Sequence, residues 1–161
     1  MGEVTAVAID LDGALGDTRP LWRAWLTDAA RRFRSIAPLD ADALSEDRGF
    51  AAAQLDRWAA AGIGDWRAAL ERYAEDHAPV HLRPSADAVG ALRRLQAAGV
   101  RLGAFTDAPQ PLARVALAHL GVARRLAACE CGDGALERLK GELGEGARVV
   151  RTRSELIEAA Q

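Results

Sequence analysis

The feature that most limits what this chain can become is its first apolar run. Val4, Thr5, Ala6, Val7, Ala8 and Ile9 form an uninterrupted stretch of small and β-branched residues, followed at once by Asp10, Leu11, Asp12 and Gly13. Such a run predicts a strand buried on both faces, as in a parallel sheet with helices above and below. Ligands bind at the carboxyl ends of strands in open α/β sheets, which sets Asp10 and Asp12 at the mouth of a site. Gly13 lets the backbone turn sharply away. Because the strand breaks at Asp10, both acids can face one crevice and divide the labour. One carboxylate can attack an electrophile such as phosphorus while the other moves the proton of the leaving group and then of the incoming water. A Mg²⁺ ion held by one or two carboxylates and phosphate oxygens would bridge attacker and substrate.

From Thr18 the period changes to that of a helix, with Leu21, Trp22, Trp25, Leu26, Ala29, Phe33 and Ile36 recurring every three or four residues. Thr18 or Asp17 is the expected cap, Pro20 suits the first turn and Pro38 closes the run. A second helix is expected from Phe50 to Ala61, stopped by Gly62, and a third from an Asp65 cap to just before Pro79. All four tryptophans lie in this block, which predicts a small helical unit with an aromatic core of its own. Gly62 and Gly64 read as a helix-to-helix turn rather than a phosphate loop, since they follow a helix and lack a third glycine. His77 and His81, near the end of the block, read as surface residues.

A helix then runs from a Ser85 cap to Gly99. Val100 to Phe105 forms a second apolar strand that ends in Thr106 and Asp107. A helix over 111–120, strands over 126–129 and 147–150, and helices over 135–143 and 154–160 complete an alternation that demands a parallel sheet with right-handed crossovers.

The stretch Asp10-Leu11-Asp12-Gly13-Ala14-Leu15-Gly16-Asp17-Thr18 resembles the first motif of the haloacid dehalogenase (HAD) superfamily of phosphatases and phosphomutases. Ala14 stands where that family most often has Thr or Val. Thr106, closing a buried strand, resembles its second motif. The resemblance implies an α/β, HAD-like Rossmannoid core with a parallel sheet of about four strands flanked by helices. That core would take residues 1–17 and 80–161, with an all-helical cap inserted over 18–79. It implies Asp10 as nucleophile and Mg²⁺ ligand, Asp12 as acid/base with its backbone carbonyl on the Mg²⁺, and a phosphate cradle at Thr106 and Asp107. The presence of Asp12 favours phosphate monoesters over the metal-free dehalogenation chemistry of relatives that lack it. The implied activity is hydrolysis of a small phosphorylated metabolite through an aspartyl-phosphate. The alternative is a catalytically degenerate relative that binds a phosphate ligand or a protein.

Two motifs of that family are not in place. The expected lysine would fall near Glu130–Asp133, whereas Lys140, the only lysine of the chain, lies inside a helix with a solvated face. Beyond Val150 the family carries acids; here stand Arg151, Thr152 and later Leu156. Glu155 reads as a solvated helix residue. Losing a metal carboxylate would leave Mg²⁺ weakly bound; Arg151 and Arg153 are the candidates to replace the missing lysine, since a guanidinium can grip phosphate bidentately.

The 161 residues amount to one domain or a compact core with an insertion. A formal charge of −2 with no basic stripe argues against nucleic-acid or anionic-membrane partners. Cys129 and Cys131 are too closely spaced for an ordinary disulfide and read as reduced thiols of a cytoplasmic protein. The first 20 residues predict neither signal peptide nor membrane span.

Overall fold

A computed structural model describes residues 2–33 and 47–161. Four strands, β1 (Ala6–Asp10), β2 (Arg101–Thr106), β3 (Ala128–Cys131) and β4 (Arg148–Val150), form one parallel sheet in the order β3-β2-β1-β4. Seven helices are described: α1 (Arg19–Phe33), α2 (Arg48–Trp58), α3 (Trp66–His81), α4 (Ala86–Ala97), α5 (Gln110–His119), α6 (Ala135–Leu143) and α7 (Arg153–Ala159). Ile36 and Pro38, expected to continue and close the first helix, lie outside the described residues.

β1 is central, which is why its residues are apolar on both faces. Val7 and Ile9 pack with Leu92 of α4, Leu112 of α5 and Leu156 of α7, while Ala6 and Ala8 face Leu139 and Leu143 of α6. The register fixes the rim of the site. Asp10 pairs with Phe105, so Thr106 stands one step beyond, and Ile9 pairs with Val150, so Arg151 emerges beside Asp10. Strand register therefore gathers Asp10, Thr106 and Arg151 at the carboxyl end of three adjacent strands.

Several sequence expectations are corrected. Trp22, Trp25 and Trp66 are buried, with ring centroids 5.3 and 5.9 Å apart in sequence order, but they belong to the same apolar cluster as Val7, Ile9 and Leu112. Among the described residues the helical block has no separate core, because helical periodicity says that a face is buried and not against what. α3 continues through Pro79 to His81; two residues from the end of a helix, the missing N–H costs one hydrogen bond in the final turn. β3 begins two residues later than expected because a tight turn over Ala123–Arg125 occupies the approach. Of the two expected caps of α1, Thr18 turns its hydroxyl to Asp12, and Asp17 Oδ1 accepts the Arg19 N–H at 3.1 Å.

Candidate active site

The turn after β1 is built around Gly13. Its φ is +123°, and a Cβ there would lie 2.5 Å from the carbonyl oxygen of Arg151, so both conformation and space call for glycine. Gly13 N–H donates to the Gly16 carbonyl at 2.7 Å and Gly16 N–H to the Leu11 carbonyl at 2.9 Å. The result is a five-residue turn, Leu11–Leu15, that presents Asp10 and Asp12 together.

The two acids have opposite surroundings. Asp12 Oδ1 accepts the backbone N–H and the hydroxyl of Thr18, both at 2.7 Å, and Oδ2 accepts Thr106 Oγ1 at 2.7 Å and Arg48 Nη2 at 2.5 Å. Burial alone would raise its pKa, but the charge of Arg48 and the hydrogen bonds from Thr18 and Thr106 outweigh it and hold the carboxyl below its ordinary value. Asp10 is pushed up to about 6, first by burial and then by the neighbouring charge of Asp12. Its Oδ1 accepts Asp12 N–H at 3.0 Å, and its Oδ2 faces Arg151 Nη1 at 3.5 Å. Thr106 Oγ1 also accepts the Ala108 N–H at 3.1 Å, so its proton and one of its two lone pairs are engaged.

Arg48 is the residue that sequence reasoning missed. Its side chain is 3% exposed; Nη1 donates to Thr18 Oγ1 at 2.6 Å and Nε to Asp107 Oδ1 at 3.1 Å, and Nη2 is also paired with Asp107. It starts α2, which is capped by Asp47 accepting the Phe50 N–H at 2.9 Å. The next residue, Gly49, lies so close to Asp133 that a Cβ would sit 2.3 Å from a carboxylate oxygen. A glycine at the second position of a helix, where no unusual φ is required, was the available signal for this close approach.

A cleft of about 400 Å³ opens over these groups, lined by Asp10, Asp12, Arg48, Thr106, Asp107 and Arg151 among others. Of the predicted site residues, all five are therefore brought to one cavity, with Asp107 at its more exposed edge. Lys140 does not line the cleft. Arg153 donates to the carbonyls of Ala14 and Leu15 at 3.3 and 3.0 Å, which ties down the turn rather than reaching for a ligand. Glu155 does not swing inward; it accepts the N–H groups of Arg151 and Thr152 in a capping box at the start of α7. His77 stacks on Tyr73 and lies outside the cleft.

The donor set does not fit Mg²⁺, which asks for carboxylates with oxygens to spare. Both oxygens of Asp12 are consumed by four donors, and the open oxygen of Asp10 faces a guanidinium. Among the described residues no three His, Cys, Asp or Glu side chains gather in one place. Arg151 and Arg48 thus set N–H donors against the side-chain oxygens of Asp10 and Asp12.

Fold and site together define a parallel α/β protein with carboxylates at the carboxyl ends of its strands. The chain belongs to the haloacid dehalogenase-like hydrolases: the model of that family matches residues 4–143. Among solved structures it is similar to CbbY from Rhodobacter sphaeroides in complex with phosphate, at 18% identity and a TM-score of 0.62, covering 98% of this chain and 83% of that one. It is also similar to a predicted phosphoglycolate phosphatase from Haemophilus somnus, at 17% identity and a TM-score of 0.55, covering 99% and 82%. A HAD phosphatase from Thermococcus onnurineus is 20% identical with a TM-score of 0.50, covering 80% of this chain and 62% of that one. No curated protein sequence matches the chain significantly. At these identities the likeness establishes the fold. Among the described residues, no helix is long and apolar enough to cross a membrane.

Proposed function

We propose that this chain hydrolyses phosphate monoesters of small metabolites, with Asp10 as nucleophile. The observation that carries the reading is the meeting of Asp10, Thr106 and Arg151 at one rim of the sheet, within a single cleft. A predicted phosphatase among the similar structures, and another of them solved in complex with phosphate, are consistent with this substrate class. Division of the chain into a core and an inserted cap over 18–79 is part of the same proposal.

In the proposed reaction an Asp10 carboxylate oxygen attacks phosphorus, the ester P–O bond breaks, and an aspartyl-phosphate forms. The Arg151 guanidinium, beside the attacking carboxylate, balances charge on the phosphoryl oxygens. Asp12 supplies the leaving-group proton and takes the proton of the water that cleaves the intermediate. As it stands, Asp12 is held ionised by Arg48, so it can act as an acid only once Arg48 withdraws with α2. Motion of the helical insertion would thus couple substrate entry to the freeing of the acid.

The saturation of Asp12 also favours a second reading, a binding module that keeps the anion cradle without turnover. Hydrolysis of an aryl phosphate by the wild type and by Asp10→Asn separates them. The first reading expects turnover that Asp10→Asn abolishes. Phosphate binding with equal, background rates for both would establish the second.

A further inference from the structure

Resting on the phosphoryl-transfer reading above, we propose that the guanidinium of Arg151 stands in the place of the divalent cation, so that this site binds tetrahedral oxyanions without a metal. Arg151 is the first residue past β4, and register sets it beside Asp10. Its side chain spans toward the cleft, with Nη1 3.5 Å from Asp10 Oδ2 and the guanidinium carbon 5.4 Å from the centre of the Phe105 ring. Phe105 is itself the register partner of Asp10, so ring, carboxylate and guanidinium form one cluster.

The backbone of Arg151 is fixed at both ends. Its N–H donates to Glu155 Oε2 at 2.7 Å, and its carbonyl packs against Gly13 with no room for a Cβ between them. The side chain therefore springs from an anchored point, and at 58% exposed it has the reach to meet a ligand. A divalent cation on Asp10 would share that carboxylate with a like charge only one contact distance away, and like charges disfavour one another at such range. A planar fork of N–H donors offers what the metal otherwise supplies to a phosphoryl group, a positive charge aimed at its oxygens. The acid-to-arginine exchange at the end of β4 is thus a change of cation rather than a simple loss.

The test uses the full chain, inorganic orthophosphate and Mn²⁺ as probes. Orthophosphate binding by calorimetry should be the same in Mg²⁺ and in EDTA, and the free Mn²⁺ resonance signal should be unchanged by wild-type protein. Arg151→Gln should weaken orthophosphate about tenfold to a hundredfold, the range of a charge-assisted hydrogen bond. Arg151→Asp should take up Mn²⁺, because it removes the guanidinium and adds a carboxylate facing Asp10. Mn²⁺ uptake by the wild type, orthophosphate binding that requires Mg²⁺, or an Arg151→Asp chain that folds and leaves Mn²⁺ free would each overturn the inference. Those results leave the phosphatase reading standing. Failure of orthophosphate to bind under any condition would instead refute that reading and this inference with it.

Discussion

Replacing Arg48 by alanine removes the one cation that reaches both Asp12 and Asp107 from α2. Breaking a buried ion pair from one side costs about 3–5 kcal/mol, because the other charge is left without compensation. Two features reduce that figure here. Asp12 keeps three of its four donors, Thr18 N–H, Thr18 Oγ1 and Thr106 Oγ1, and Asp107, at 59% exposed, is already hydrated. The expected loss is therefore about 2–3 kcal/mol. For a chain of this size that lowers the melting temperature by roughly 5–10 °C, readable by urea unfolding and thermal melts. In a double-mutant cycle, Asp12→Asn should absorb much of the effect, since the two share one interaction. The effect also has a pH signature. Asp12 titrates below its ordinary 3.8 in the folded chain, so the stability it contributes is complete above about 3.8 and is lost as the pH falls through the lower folded value. The gap between wild type and Arg48→Ala should be widest near neutrality and shrink in acid. A loss under about 0.5 kcal/mol, or strict additivity with Asp12→Asn, would refute the argument that Arg48 holds Asp12 ionised.

Other expectations follow from the same geometry. Asp10 is raised from 3.8 to about 6, so the folded chain binds its proton more tightly than the unfolded chain, and stability declines as the pH rises through that window. Asp10→Asn should consequently be more stable than wild type at neutral pH, by about 1–3 kcal/mol in urea unfolding, while kcat/KM of the wild type for an aryl phosphate should fall below pH of about 6. Arg151→Ala should move that midpoint upward, because the charge of Arg151 lowers the Asp10 value. Gly13→Ala forces a Cβ to within 2.5 Å of the Arg151 carbonyl at a φ of +123°; it should cost more than about 2 kcal/mol by urea unfolding and weaken orthophosphate binding as well. Lys140→Ala should leave the hydrolysis rate within about twofold of wild type, since surface substitutions away from a site are close to neutral.

Much of the site was legible because its residues sit where local signals are strongest. An apolar run that stops at Asp10 fixes a central strand and its carboxyl end together, and the Asp-Gly pair that follows favours a turn. Thr106 and Arg151 were legible for the same reason, each being the residue at which a short apolar strand gives out. Arg48 was not, because a single arginine at the start of a helix looks like any solvated one until the tertiary fold brings Asp12 and Asp107 to it. The fate of the tryptophans was hidden for a related reason: spacing shows that Trp25 and Trp66 are buried, while the identity of their neighbours depends on how α1 and α3 meet the sheet face carrying Val7 and Ile9. The offset of β3 reflects an edge strand of four residues, too short for its pattern to fix its ends.

The most direct measurement is acid quenching of the full chain during incubation with an aryl phosphate, followed by peptide mapping of the covalently bound phosphoryl group. The account predicts the label on the peptide bearing Asp10, and its disappearance in Asp10→Asn. Hydrolysis that proceeds with the label on another residue, or that survives Asp10→Asn, would contradict it.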